Sequence, residues 1–265
     1  MFILRRKGGI SAKELAVLCN ARCRKNINRA KWNDFIVNYG EKSDKAHLNR
    51  NVNFDKIEVH KILEENGILL PKIYDKNEDM PDKTFPLLAR KNFHSKGRDI
   101  IYLKNKDDLN KINPNRYDYL IEYIKKTSEY RVHILKGFTT IVNVKVNGED
   151  DRNEIVRNRN KGWKQVEYNG EFRNKLVKIG EEVVDILDYD FAAIDIIRDK
   201  DNQFYVLEVN SAPGLEERKL KIYADYFLKE ESKWFSKNRI KETVVPKQKS
   251  DVYIPTQGKW SYQIN

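Results

Sequence analysis

The stretch that decides the fold runs Phe191-Ala192-Ala193-Ile194-Asp195-Ile196-Ile197-Arg198, then Asp199-Lys200-Asp201-Asn202, then Gln203-Phe204-Tyr205-Val206-Leu207-Glu208-Val209-Asn210-Ser211-Ala212-Pro213-Gly214. Two apolar runs flank a polar turn, which reads as a β-hairpin. Residues two apart in a strand share a face. Alternation therefore puts Phe204, Val206, Glu208 and Asn210 on one face of the second strand, with Tyr205, Leu207 and Val209 on the other. On the first strand Ile194 and Ile196 lie opposite to Ala193, Asp195 and Ile197. The turn length places Asp195 across from Glu208 within a position or two. Two carboxylates and an amide oxygen thus converge at one end of an apolar hairpin. Gathering two like charges there is costly unless a cation neutralises them. Hard oxygen donors of this kind suit Mg2+ held together with substrate phosphates. An exposed acidic pair on an edge hairpin is the plainer reading, but Glu208 inside Tyr-Val-Leu-Glu-Val-Asn argues against it. Without their cation the two carboxylates repel, so removing either is expected to leave the fold intact.

Upstream, Tyr119–Ile124, Tyr130–Leu135 and Thr139–Val146 are strand candidates, with Lys136-Gly137 as a tight turn. Phe85–Arg90 and Asp99–Leu103 are two more, joined by the polar loop Asn92–Lys96-Gly97, and Lys106–Ile112 reads as a short helix. Glu171–Leu187 carries a helical stripe of Leu176, Ile179, Val183 and Leu187. A second helix opens at Asp55-Lys56-Ile57-Glu58, an acid three residues after a capping Asp, and Gly67 is placed to end it. At the front, Phe2–Leu4 is a strand and Gly8-Gly9 its turn. Ser11-Ala12-Lys13-Glu14 reads as a capping box, and Phe35–Val37 is a strand ended by Asn38-Tyr39-Gly40. After Pro213-Gly214 a last helix is expected to about Lys229. The predicted organisation is a basic α/β unit over 1–48, two units over 49–125 and 126–230, and a polar extension without its own core over 231–265.

The chain has 265 residues, 40% of them hydrophobic and 11% aromatic, which argues for a folded core rather than disorder. No apolar stretch reaches the ~20 residues of a membrane span. The N-terminus has its charges after a short apolar run, the reverse of a signal peptide, so a cytoplasmic location is expected. Two cysteines, Cys19 and Cys23, exclude a disulfide scaffold and a four-cysteine zinc site. His47, His60, His94 and His133 show no metal-ligand spacing, and no Walker A or GxGxxG motif is present. The net charge is +11, and residues 1–40 hold nine Lys/Arg against two Asp/Glu. Such a surface suits an anionic partner such as an acidic peptide or nucleic acid, although AT-rich coding produces the same Lys and Asn excess.

Asp195-Ile196-Ile197 followed by Val206-Leu207-Glu208-Val209-Asn210-Ser211-Ala212-Pro213-Gly214-Leu215 resembles the metal-binding signature of the ATP-grasp superfamily. The likeness is to RimK-like carboxylate–amine ligases and to the small ATP-grasp proteins of bacteriophages, and covers roughly residues 50–228. It implies an α+β fold in which two subdomains clamp ATP between antiparallel sheets. It implies that Asp195, Glu208 and Asn210 ligate two Mg2+ ions, for which Mn2+ can substitute. Arg90 stands where the family has a phosphate-binding lysine, and Ser95 and Gly97 fall in its phosphate loop. Glu122, Tyr123 and Ile124 match the adenine hinge, and Glu129 matches the acid for the ribose hydroxyls. Arg157 and Asn158 match an element near the γ-phosphate, where Arg159 or Asn160 could instead be meant, and Lys56 matches a lysine on the first helix. Arg90 and Arg157 would be the catalytic cations.

The implied reaction is amide formation through an acylphosphate, joining a carboxylate substrate to an amine. The substrate would be an amino acid, a peptide or a protein. Two alternatives stand beside it: a phosphotransferase on the same fold, and a nucleic-acid-associated protein that uses the basic N-terminus. The loops at 94–97 and 147–163 are expected to close over the intermediate.

Overall fold

The computed structural model describes residues 1–5, 9–92, 100–147, 155–157 and 162–238. Three sheets organise them. The first is a small parallel sheet. β1 (Phe2–Arg5) lies between β2 (Arg22–Arg24) and β3 (Ile36–Tyr39), and α1 (Ile10–Leu18) crosses from β1 to β2. The expected capping box is corrected here. Gly9 is the N-cap of α1, and no side chain caps it. Ser11 lies inside the helix, buried, where its Oγ accepts a hydrogen bond from the Leu215 N–H at 3.0 Å. A tertiary partner has taken the hydroxyl that the local pattern assigned to the cap. β3 also continues through Tyr39, two residues beyond the expected stop at Val37.

The second sheet is antiparallel, in the order β4 (Ile73–Asp75), β7 (Tyr119–Glu122), β5 (Leu87–Arg90), β6 (Ile101–Leu103). α2 (Lys56–Glu65) leads into it and α3 (Lys106–Lys111) joins β6 to β7. Asp55 caps α2 as its sequence predicts, accepting from the N–H groups of Ile57 and Glu58 at 2.9 and 3.1 Å. Gly67 ends it at φ +82°, a left-handed conformation that favours glycine.

The third sheet is the frame of the molecule. Its order is β10 (Trp163–Glu167), β9 (Thr139–Asn147), β8 (Ser128–Leu135), β11 (Phe191–Arg198), β12 (Phe204–Asn210), all antiparallel. One face is apolar. Val132, Ile134, Val142, Ile194 and Ile196 pack against Leu176, Val183 and Val184 of α4 (Arg173–Ile186). Gly180 belongs to that buried stripe. A Cβ there would come within 3.0–3.1 Å of Ile134 and Val132, so the glycine sets how closely the helix lies on the sheet.

α5 (Glu217–Asn238) extends well beyond the expected stop near Lys229, so the boundary drawn at 230 falls inside a helix. The extra turns are not a bare extension. Trp234 packs on Phe35 and His47, at ring distances of 6.0 and 4.8 Å. Tyr223, Tyr226 and Phe227 cover Phe191 at the end of the large sheet. The N-terminal unit, α5 and this sheet end therefore share one core.

Candidate functional site

The polar face of the five-stranded sheet is built by register. Asn143 pairs with Arg131, Arg131 with Asp195, and Asp195 with Glu208. One step along, His133 pairs with Ala193 and Ala193 with Asn210. These side chains form two adjacent rows across four strands.

Glu208 reaches this face through a β-bulge. The register shifts between Asp195 and Ile196: Glu208 opposes Asp195, while Val206 opposes Ile196. Strict alternation would have put Glu208 and Asn210 with Phe204 and Val206. Instead Leu207 is the extra residue, and Val209 joins Phe204 and Val206 against the apolar core. The single-face reading of the second strand is thus corrected, and the bulge is what lets the acid pair form. Bulges commonly re-aim a side chain beside an active site.

Each carboxylate has a cation. Arg131 donates to Asp195 through Nε at 2.7 Å and Nη2 at 2.6 Å, a two-point clamp. Burial acts to raise the Asp195 pKa, but Arg131, aided by Lys145, holds it down at about 2. Lys56 of α2 reaches across from the first half of the chain to Glu208 Oε1 at 3.0 Å. Asp55, beside it, accepts from Asn92 Nδ2 at 3.1 Å, while Asn92 Oδ1 receives the Lys56 N–H at 3.1 Å. The expectation that removing either carboxylate leaves the fold untroubled is corrected for Asp195. Its removal would strand a mostly buried guanidinium.

Arg90 ends β5, and its Nε is buried without a hydrogen-bond partner in the structure. Tyr119 lies beneath: burial raises its pKa, the Arg90 charge lowers it and the Glu208 charge raises it. Arg90 on the four-stranded sheet and Glu208 on the five-stranded sheet thus both act on Tyr119 electrostatically. Arg157 is buried, stacks on Trp163 at 4.4 Å and likewise has an unpartnered Nε. Its backbone carbonyl accepts from Lys145 Nζ at 3.0 Å. Glu129 is buried between Lys126 Nζ, at 2.6 Å, and Lys145 Nζ. Those lysines also hold the carbonyls of Ile155 and Arg157, so Glu129 anchors the segment that carries Arg157.

At the end of β7, the Glu122 N–H donates to the Lys72 carbonyl at 2.8 Å and the Tyr123 N–H to that of Pro86 at 3.2 Å. Tyr123 stacks edge-on to Tyr102 at 5.0 Å, and Ile124 follows in the link to β8. Ser95, Gly97 and Asn158, with Arg159 and Asn160, lie outside the described residues.

Arg131, Lys126 and Lys145 are the charged groups that the sequence reading missed. A period-two signal was available: Glu129, Arg131 and His133 alternate with apolar Tyr130, Val132 and Ile134. Asn143 and Lys145 do the same on the next strand.

The donor set fits a divalent ion bound with phosphates. It offers hard oxygens from Asp195, Glu208 and Asn210 on one face, and Asn210 Nδ2 is buried without a partner. Among the described residues no group of three His, Cys, Asp or Glu side chains could hold an ion by themselves. A bound ion would therefore take ligands from its phosphate as well.

Two antiparallel sheets enclosing this cleft define the ATP-grasp fold, the class of the ATP-dependent ligases. The family profile described as the RimK-like ATP-grasp domain matches residues 53–229, and the chain belongs to that family. Among solved structures it is similar to D-alanine–D-alanine ligase from Bacillus anthracis, with TM-score 0.62 and 18% identity over 89% of this chain and 98% of that one. It is similar to the macrocyclase MdnC from Microcystis aeruginosa, solved with its precursor peptide MdnA, with TM-score 0.58 and 10% identity over 86% and 99%. A RiPP-associated ATP-grasp ligase from Chryseobacterium gregarium gives TM-score 0.57 and 14% identity over 86% and 96%. These likenesses concern the fold. No curated protein sequence gives a significant match. Among the described residues no helix is long and apolar enough to cross a membrane.

Proposed function

We propose that the protein is a carboxylate–amine ligase of the cytoplasm that forms an amide bond through an acylphosphate. The observation that carries this reading is the row Arg131–Asp195–Glu208 facing Arg90 and Lys56 across the cleft. Acids and cations gathered in this way are what a triphosphate and its counter-ions would need.

The adenine would lie at the hinge of Glu122, Tyr123 and Ile124, with the phosphates running toward Asp195. Glu129 can reach the ribose hydroxyls only if one of its two lysines gives way. Two Mg2+ ions, or Mn2+, bound by Asp195, Glu208 and Asn210 would supply charge neutralisation for the phosphates. Arg90 presents its unpaired Nε to phosphate oxygens, and Arg157 does so from the opposite wall. The carboxylate substrate attacks the γ-phosphorus, and ADP leaves with the electrons of the broken bond. The amine then attacks the acyl carbon and expels phosphate. The protein contributes position and field rather than covalent chemistry. His133 Nε2 and Asn143 Oδ1, buried in the two adjacent rows, have no hydrogen-bond partners, which supports a substrate end beside Asn210. The fold relatives that carry peptides support a peptide or amino acid as substrate.

Hydroxylamine trapping tests this reading. With ATP, Mg2+ and a pool of amino acids and acidic peptides, a hydroxamate should accumulate in step with ADP. Accumulation of a stable phosphorylated product without hydroxamate would instead make the protein a phosphotransferase.

A further inference from the structure

The N-terminal unit carries a surface that ATP chemistry does not use. β2 is an outer strand of its sheet. The Arg22 N–H points inward to the Met1 carbonyl at 3.3 Å, so the alternate residue, Cys23, directs its backbone to the outer edge, where its carbonyl accepts from Arg24 Nη1 at 2.9 Å, a contact an added strand would displace. Residues 22–34 hold Arg22, Arg24, Lys25, Arg29 and Lys31 against a single acid, Asp34. Arg22 takes that acid in an ion pair and also donates to the Arg29 carbonyl at 3.0 Å. Arg24, Lys25, Arg29 and Lys31 are exposed. Trp32, next in the chain, is 90% exposed, the most exposed large apolar side chain among the described residues. A tryptophan so placed offers a large amphipathic contact area beside the exposed cations.

Burial raises the Cys23 pKa, while Arg5, Arg24 and Lys13 lower it, so β1 and α1 add positive charge to that of β2 near this thiol. The same unit reaches the site. Ser11 holds the Leu215 N–H, and the Tyr39 hydroxyl donates to the Pro213 carbonyl, both in the segment that follows Asn210.

We propose that the outer edge of β2, with Arg24, Lys25, Arg29, Lys31 and Trp32, is a docking surface for an acidic polypeptide stretch that belongs to the ligase's substrate outside its reacting group. The inference rests on the amide-ligase reading. Charge complementarity requires an anion, and the open strand edge selects a peptide over a nucleic acid. An extended chain can add to an edge through its backbone, with side chains reading the surface on either side. Trp32 supplies an apolar contact for such a chain. The cost of holding a long substrate is then met away from the reacting carboxylate.

The test is fluorescence anisotropy of a labelled oligoglutamate peptide with the full chain, in a salt series, beside calorimetric titration of a non-hydrolysable ATP analogue. The expected result is peptide binding that weakens as salt rises. The variant Arg24→Gln/Lys25→Gln/Arg29→Gln/Lys31→Gln should lose about tenfold or more in peptide affinity, given the usual worth of exposed charge pairs. Trp32→Ala should lose less, about threefold. ATP-analogue binding should be unchanged in both. These exposed positions leave the core alone, so failure to fold is not expected, and intact analogue binding certifies the fold. No peptide binding at low salt, or equal affinity in the Gln variant, overturns the proposal. Tighter binding of an oligothymidylate of equal charge, lost in the same variant, overturns it in favour of a nucleic-acid surface. Loss of analogue binding in the unaltered chain, with peptide binding intact, would instead sink the ligase reading and leave the docking surface standing.

Discussion

The two antiparallel sheets make opposite use of the same architecture. Among the described residues the five-stranded sheet anchors a core of seventeen buried apolar residues, from Leu176 and Val183 of α4 to Ile194 and Ile196 of β11. Among the same residues the four-stranded sheet has six in its own cluster, including Met80, Leu87 and Leu120. Stability follows buried apolar area, so the larger sheet is the firmer of the two. In the proposed reading it carries the groups that must hold one geometry: Asp195, Glu208, Asn210 and the clamp from Arg131. In that reading the lighter sheet carries Arg90 and residues 122–124, which would close on a nucleotide and release it. Low local stability is what a moving element requires.

The largest effect expected from this contrast lies at Arg131. Arg131→Met leaves the Asp195 carboxylate buried without its cation, which should cost about 3–5 kcal/mol. Chemical unfolding of the variant checks this. The double variant Arg131→Met/Asp195→Leu should recover most of the loss. A single variant as stable as the unaltered chain would mean that the clamp is not part of the frame.

The lighter sheet should respond differently. Leu87 is fully buried on β5, and Leu87→Ala should cost about 2–4 kcal/mol locally. Hydrogen exchange should quicken in β5, β6 and β7 while β8 and β11 keep their protection. Uniform loss of protection across both sheets would break the contrast, since it would make the molecule one cooperative unit.

Acid should act on the larger sheet next. The Asp195 pKa is held at about 2 in the folded chain, against about 4 for an unfolded aspartate. A depressed carboxyl stabilises above its unfolded pKa and loses that contribution as pH falls through the folded value. Roughly 2 kcal/mol should therefore disappear between about pH 4 and 2. The difference between the chain and its Asp195→Asn variant isolates that share. If both have the same pH profile, the carboxylate is not ionised against Arg131.

Much of this arrangement was legible in the residues. The Asp–Glu–Asn signature and the strands around it follow from alternation and from the resemblance. What escaped has physical causes. β2 and β4 are three residues each, too short for a period to show. β10 alternates Trp163, Gln165 and Glu167 with Lys164 and Val166, a pattern too polar to read as a strand. The bulge at Leu207 depends on the pairing with β11, which no single strand encodes. Ser11 looked like a cap because its tertiary partner, Leu215, lies far along the chain. The helix beyond Lys229 looked unsupported because Trp234 finds Phe35 and His47 only in the folded core.

The smallest effect on stability concerns an ion pair that joins the two halves of the site, Lys56 with Glu208. The side chains are 23% and 31% exposed, so the pair is partly screened and Lys56→Met should change unfolding by no more than about 1 kcal/mol. Its effect on ligands should be larger and of two signs. Lys56 competes with a divalent ion for the Glu208 carboxylate, so Mn2+ binding without nucleotide, read by electron paramagnetic resonance, should tighten in the variant. In the proposed reading Lys56 would also face the phosphates, so affinity for the ATP analogue in Mg2+ should fall. Opposite shifts in the two titrations would identify the pair as a contact made to be exchanged. A loss of several kcal/mol in stability with both affinities unmoved would identify it instead as a fixed weld between α2 and β12, and the two sheets would not be free to move apart at this point.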